Sequence, residues 1–73
     1  MGVFEIVLHI VQEKRTNKKF PESASMKEII ELAKKVNLDE SQIQLDLDLL
    51  VMNGDLEEYL NVNKIQFYKP VRY

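Results

Sequence analysis

The segment from residue 43 to residue 51 decides which folds are open to this chain, because its apolar residues fit two periods at once. Ile43, Leu47 and Leu50 fall at the spacing of one face of a helix. Apolar residues also stand at every second position, as on the buried face of a strand: Ile43, Leu45, Leu47, Leu49 and Val51. Because a helix and a strand here lead to different folds, the assignment depends on the rest of the chain.

Length and composition limit the chain to one small domain. It has 73 residues and no cysteine, which leaves room for one core but no disulfide framework and no thiolate metal site. The lack of cysteine fits a cytoplasmic protein. Its longest mainly apolar run, residues 3–11, is well short of the roughly 20 residues that cross a bilayer, and it lacks the flanks of a signal peptide. We therefore expect a single cytoplasmic domain over residues 1–73, with no membrane contact.

The first third of the chain predicts a helix, a loop and a short strand. Polar residues in the segment from residue 3 to residue 14 fall on one narrow stripe, which favours a helix, although five Val and Ile residues make a buried strand the alternative. Residues 12–19 hold no apolar side chain and are predicted to be a loop. Phe20 precedes a proline, which favours extended backbone, so we expect it to be a buried anchor in a very short strand.

The middle and the end of the chain predict a helix and a hairpin. Residues 26–36 have one apolar face, and Ser25 with Glu28 can form a capping box at its start. Asn37 tolerates left-handed backbone at a helix end, and Asp39 can cap a further helix. Residues 56–62 and 65–68 are predicted to be the strands of a hairpin around an Asn63-Lys64 turn.

Leu32-Ala-Lys-Lys-Val-Asn-Leu-Asp-Glu-Ser-Gln-Ile43 resembles the helix-turn-helix signature, and no gap is needed from residue 26 to residue 59. In this resemblance Ala33 lies where two helices cross, Asn37 takes the turn position usually held by glycine, and Ile43 enters the core. Leu47, Leu50 and Gly54 then look like the end of a recognition helix before the first wing strand. The resemblance implies an α+β fold of the winged helix-turn-helix type, with three helices and a small antiparallel β-hairpin wing.

A second resemblance leads to a different fold. The segments 21–30, 49–54 and 64–71 also look like stretches of ubiquitin-like β-grasp proteins, which include small sulfur carriers. This alternative makes residues 3–11 and 45–52 strands. It implies an interaction module without carrier chemistry, since the chain ends in Val-Arg-Tyr rather than in Gly-Gly.

The residue types present do not predict catalysis. There is one histidine, His9, which we interpret as a surface residue, and there is no cysteine. The serines are placed as helix caps or first-turn residues, and two glycines cannot make a phosphate-binding loop. Spacing of the acids does not match a calcium loop. We expect no enzyme, no cofactor, no metal and no small-molecule substrate.

The winged-helix resemblance implies nucleic-acid binding as its commonest use, in a small regulatory or accessory DNA-binding protein. The residues then expected to meet DNA are Lys18, Lys19, Lys27, Ser41, Gln42, Gln44, Asn63 and Lys64. Charge in the third helix opposes this use, because phosphate neutralisation needs bases. Residues 38–58 contain seven acids and no base: Asp39, Glu40, Asp46, Asp48, Asp55, Glu57 and Glu58.

A stripe on the third helix suggests a different use. If residues 40–53 are helical, Leu45, Leu49 and Met52 lie opposite the core residues. An exposed apolar stripe of this kind predicts a protein contact or a homodimer. The sequence therefore leaves two partners open for a winged helix, duplex DNA on the one hand and a protein partner or a second copy on the other.

Overall fold

The computed structural model describes residues 2–72 and has an α+β fold of three helices and one small antiparallel sheet. The helices are α1 (Val3–Thr16), α2 (Met26–Lys35) and α3 (Ile43–Met52), and a short 3₁₀ turn, Glu40–Gln42, leads into α3. The strands are β1 (Ala24–Ser25), β2 (Leu56–Leu60) and β3 (Gln66–Pro70). The three helices and the hairpin expected from the sequence are confirmed.

The sheet has the order β1-β3-β2, so β3 is its central strand. Both pairings are antiparallel: Ala24 lies opposite Tyr68 in one, and Glu58 lies opposite Tyr68 in the other. Helix α1 packs against α2, α3 and β3, and α3 packs against α1 and β2. One core joins all of these elements, and its buried residues are Val3, Ile6, Val7, Ile10, Val11, Ala24, Ile29, Ala33, Ile43, Leu47, Leu56 and Tyr68.

Residues 3–11 and 43–52 are both helical, so the strands that the β-grasp alternative needs are not formed and that alternative is wrong. The burial pattern of α3 explains why this segment forms a helix and not a strand. Ile43 and Leu47 are buried, whereas Leu45 and Leu49 are about half exposed. A strand would place all four on one face, but the helical period separates the two pairs.

Two expectations for residues 12–20 are also wrong. Helix α1 continues to Thr16, so most of the segment 12–19 is helical and not a loop, and Phe20 is 80% exposed instead of being a buried anchor. The short strand lies further along the chain, at Ala24–Ser25. The buried face of α1 ends at Val11 because no apolar residue follows, but the helix itself continues. Lys14 and Arg15 stabilise its last turn, since positive charges interact favourably with the negative end of the helix dipole.

Lys14 connects α1 to the start of α2. Its ammonium group donates to Oε1 of Glu28 at 2.7 Å and to the backbone oxygen of Ser23 at 2.6 Å. Glu28 also completes the expected capping box, since it accepts from the backbone N–H of Ser25 and the Ser25 hydroxyl accepts from the Glu28 N–H. Burial alone raises the pKa of Glu28, but Lys14 and the two Ser25 groups outweigh it and hold that pKa below its ordinary value.

Two turns have the chemistry that the sequence indicates. Asn37 has left-handed backbone, with φ at 59°, and Asp39 accepts from the backbone N–H of Ser41 at 3.0 Å and so caps the 3₁₀ turn. That N–H and the Ser41 hydroxyl, which also donates to Asp39, keep the pKa of Asp39 below its ordinary value.

The hairpin is present, but its connection is a five-residue loop, 61–65, and not the two-residue turn expected at Asn63-Lys64. The side chain of Asn61 organises this loop by accepting from the backbone N–H groups of Asn63 and Ile65. Lys64 takes left-handed backbone, with φ at 61°.

Alanine substitutions on α3 test its orientation. We expect Leu47→Ala to lower the free energy of unfolding by about 2–5 kcal/mol, because it opens a cavity in the core. Leu49→Ala removes a half-exposed side chain from the same helix and is expected to change it by less than about 1 kcal/mol. Urea unfolding measures both values. Equal losses would contradict the helical assignment, since a strand would bury the two residues alike.

Candidate functional site

The outer face of α3 is exposed and carries the apolar residues that the sequence predicts as a contact surface. Leu45 is 54% exposed, Leu49 is 47% exposed and Met52 is 80% exposed. All three point away from Ile43 and Leu47, which fasten the opposite side of the helix to the core. We call these three residues the α3 stripe. It extends over two turns of the helix, or about 10 Å at 1.5 Å per residue.

Carboxylates lie on both sides of the α3 stripe. At about 100° per residue, Asp48 lies beside Met52 on one flank and Asp46 lies beside Leu49 on the other. Asp48 is exposed, and Asp46 is half-buried. Asp48 accepts one hydrogen bond, from the Gln44 side-chain amide at 2.9 Å. Neither carboxylate is in an ion pair with a described residue, so the stripe carries uncompensated negative charge on both edges.

Elsewhere in the acidic segment, bases from other elements neutralise part of the charge. Lys34 of α2 lies 3.4 Å from Glu40, and Lys69 of β3 lies 3.8 Å from Glu57. Both pairs are exposed to solvent, so each contributes little to the free energy of unfolding. They show that the compensating bases come from α2 and β3 and not from α3 itself, since the chain has no Lys or Arg between residues 36 and 63.

The polar residues expected to contact DNA through α3 are exposed but make local hydrogen bonds. The Ser41 hydroxyl donates to Asp39, and the Gln44 amide donates to Asp48. Gln42 lies at the end of the 3₁₀ turn and is exposed. Two of these three polar side chains, those of Ser41 and Gln44, are therefore hydrogen-bonded to carboxylates. The phosphates of a DNA duplex would repel those carboxylates.

The basic residues expected at phosphates are exposed and lie on three different elements. Lys18 follows α1 with left-handed backbone, and Lys19 borders the groove between α1 and α2 together with Glu28 and Glu31. Lys27 lies in the first turn of α2 and borders a mainly apolar groove of about 500 Å³ together with Ile65 and Phe67. Asn63 and Lys64 lie in the hairpin loop. The fold does not place any of these bases on α3.

The hairpin adds exposed apolar residues that the sequence reading did not identify as a surface. Leu60 is 65% exposed, Val62 is 97% exposed and Ile65 is 48% exposed. No periodic signal marked these residues, because the charged Glu58 shares a face of β2 with Leu56 and Leu60. The two elements that would reach into DNA grooves in a winged-helix protein therefore both present apolar side chains.

Beneath α3 lies a tyrosine hydroxyl that is sealed from solvent. Tyr68 is 0% exposed, and its hydroxyl has no hydrogen bond of good geometry to a described residue. Burial raises the pKa of Tyr68, and the nearby charges of Glu58 and Asp48 act in the same direction, whereas Gln44 opposes them. By contrast, the Tyr59 hydroxyl donates to the Ser23 hydroxyl at 2.8 Å, and its ring stacks on Phe67.

Within residues 2–72, no group of three or more His, Asp and Glu side chains could hold a metal ion. His9 is exposed on α1 and faces Glu13 at 3.3 Å, as expected for a surface histidine. None of the helices in this part of the chain is long and apolar enough to cross a membrane.

Comparison of the chain with protein-family models, with curated proteins and with solved structures finds no match. What this chain binds is therefore inferred from its own surface.

Tyr68 and Tyr59 give a matched test of which tyrosine hydroxyl has a hydrogen-bond partner. Tyr68→Phe removes a buried hydroxyl without a partner, so we expect the free energy of unfolding to stay unchanged or to rise by up to about 1–2 kcal/mol. Tyr59→Phe removes a formed hydrogen bond and should lower it by about 1 kcal/mol. Urea unfolding at one pH compares the two. A loss for Tyr68→Phe as large as that for Tyr59→Phe would mean that the Tyr68 hydroxyl has a partner.

Proposed function

We propose that this chain is a winged-helix domain that binds another protein through the outer face of α3. The order of helices and strands supports the winged-helix assignment, with α2 and α3 joined by a turn at Asn37 and followed by a hairpin. Burial of Ala33 and Ile43, the two positions that the helix-turn-helix resemblance assigns to packing, supports it too.

The α3 stripe is the observation that carries the protein-binding proposal. In a DNA-binding winged helix, α3 lies in the major groove, where it needs bases and hydrogen-bond donors. Here that position holds Leu45, Leu49 and Met52 between two carboxylates. Exposed apolar residues in one row lose unfavourable contact with water when a partner covers them. The chemistry of this face fits a protein and opposes a polyanion.

One observation favours nucleic acid as a second candidate function. Lys18, Lys27 and Lys64 are exposed, and no ion pair joins them to another described residue. Lys27 at the start of a helix and Lys64 in the hairpin are positions from which such domains contact phosphates. Binding through these bases would be salt-sensitive and independent of base sequence, and α3 would remain uncovered.

Site-specific photo-crosslinking in the cells that produce this protein tests the proposal. A benzophenone amino acid is placed at Met52 in the α3 stripe, at Lys27 in α2, or at Phe20. Phe20 is the matched control because it is an equally exposed apolar residue, and the groove that it borders includes no α3 residue. We expect an adduct that is heavier than the chain and resistant to nuclease from position 52 only, and we expect Leu49→Glu to abolish it without changing the thermal melt.

The same experiment separates the two candidates. A nuclease-sensitive adduct at position 27, with none at position 52, would replace protein binding by nucleic-acid binding. No adduct at position 52 under any condition contradicts the proposed function. An adduct with twice the mass of the chain would identify the partner as a second copy.

A further inference from the structure

We infer that the partner of the α3 stripe is an amphipathic helix whose apolar face is flanked by Lys or Arg, and not a second copy of this chain. This inference rests on the proposed function, because it names the chemistry of the partner that the stripe binds. The length of the stripe, its lateral charge and the lack of bases on α3 each contribute to it.

The shape of the stripe fits a helix. Leu45, Leu49 and Met52 follow the spacing i, i+4, i+7, which is the spacing of the anchors that helices present to each other. A partner helix laid along α3 would match the stripe with apolar residues over two of its own turns. Met52 is the most exposed of the three, and its flexible side chain can adapt to the shape of such a partner.

The negative charge on both edges of the stripe favours a partner with positive charge. Asp48 borders the stripe on one side and Asp46 on the other, and neither is in an ion pair with any described residue. When a partner covers the stripe, water is displaced from both carboxylates, and this costs free energy unless opposite charges replace it. Lys or Arg residues on the two flanks of the partner's apolar face would supply those charges at both edges.

The same arrangement disfavours a second copy. In a symmetric dimer that packs stripe on stripe, each contact is repeated about a two-fold axis. Asp48 lies near the middle of the stripe, so its carboxylate would approach that of the other copy. The chain has no base from residue 37 to residue 63, so α3 of the second copy could not neutralise either carboxylate. Like charges at a covered interface are destabilising.

Two synthetic peptides test the inference on the intact chain. Each peptide has about 18 residues, long enough to form a helix, with leucines on one face. Its other positions are either Lys with Ala or Glu with Ala. Binding is measured by fluorescence anisotropy of the labelled peptide. We expect the Leu/Lys peptide to bind at least about tenfold more tightly than the Leu/Glu peptide, with the difference decreasing as salt is raised.

Variants of the protein separate the apolar and the charged contributions. Leu45→Gln should weaken binding of the Leu/Lys peptide at least about fivefold, whereas its control Phe20→Gln should not. Asp48→Asn keeps the oxygen that accepts from Gln44 but removes the charge, so it should reduce the preference for Lys over Glu by at least about twofold. Glu31→Gln on the exposed side of α2 is the control for this change, and thermal melts check that all variants fold.

Each other result overturns the inference, and the pattern shows whether the proposed function fails with it. If the two peptides bind with equal affinity and Leu45→Gln abolishes both interactions, the stripe binds helices without selecting their charge. The inference would then be wrong, but the proposed protein-binding function would stand. Sedimentation of the free chain as a dimer that Leu45→Gln dissociates would assign the stripe to a second copy. If neither peptide binds at about 100 μM, the inference is wrong, and the crosslink at position 52 decides separately whether protein binding is also wrong.

Discussion

Burial of Ile43 and Leu47 is the constraint on which the rest of this structure depends. These two side chains fasten α3 to the core that α1, α2 and the sheet share. Fixing one side of a helix also fixes the other, because residues two apart point about 200° away from each other. The exposure of Leu45 and Leu49 is therefore a direct result of the packing that forms the core, since no rotation of α3 could bury both pairs.

Contacts and turns outside α3 hold the elements that surround it. Lys14 joins α1 to the start of α2 through Glu28, and its ammonium group lies 5.7 Å from the centre of the Phe67 ring on β3. Asn37 turns the chain between α2 and α3, and Gly54, with φ at 79°, turns it from α3 into β2. A non-glycine residue at that φ would be strained. Asn37 and Gly54 thus lie in the turns before and after α3, and the core contacts of Ile43 and Leu47 determine which of its faces is exposed.

The sequence predicted most of the fold correctly in segments whose apolar residues fit a single period, either that of a helix or that of a strand. The capping box at Ser25, the left-handed Asn37 and the buried face of α2 follow from local chemistry that tertiary contacts did not override. The extent of α1 was missed because its last turn is held by Lys14, and a pairing with Glu28 across fourteen positions has no local signal. Phe20 was missed for the converse reason, since an isolated aromatic residue in a polar stretch has no periodicity that indicates whether it is covered.

The α3 stripe was predictable only on the condition that residues 43–52 are helical. Their alternation fits a strand equally well, and only the surrounding elements favour the helix. The exposed residues of the hairpin loop were not predictable, because the end of β2 is set by where the loop organised by Asn61 begins. Charge supports the proposal of protein binding more than the apolar pattern does, because carboxylates beside Leu45, Leu49 and Met52 would repel the phosphates of DNA.

Solvent exposure of individual methyl groups tests the central claim most directly, which is that α3 has one apolar face in the core and a second one uncovered. In the isolated chain, with Leu, Ile and Met methyl groups labelled, a soluble paramagnetic agent broadens the signals of exposed methyl groups. The account predicts strong broadening for Leu45, Leu49 and Met52, and little for Ile43 and Leu47. Protection of Leu45 and Leu49 equal to that of Leu47 would contradict it, because the second face would then already be covered.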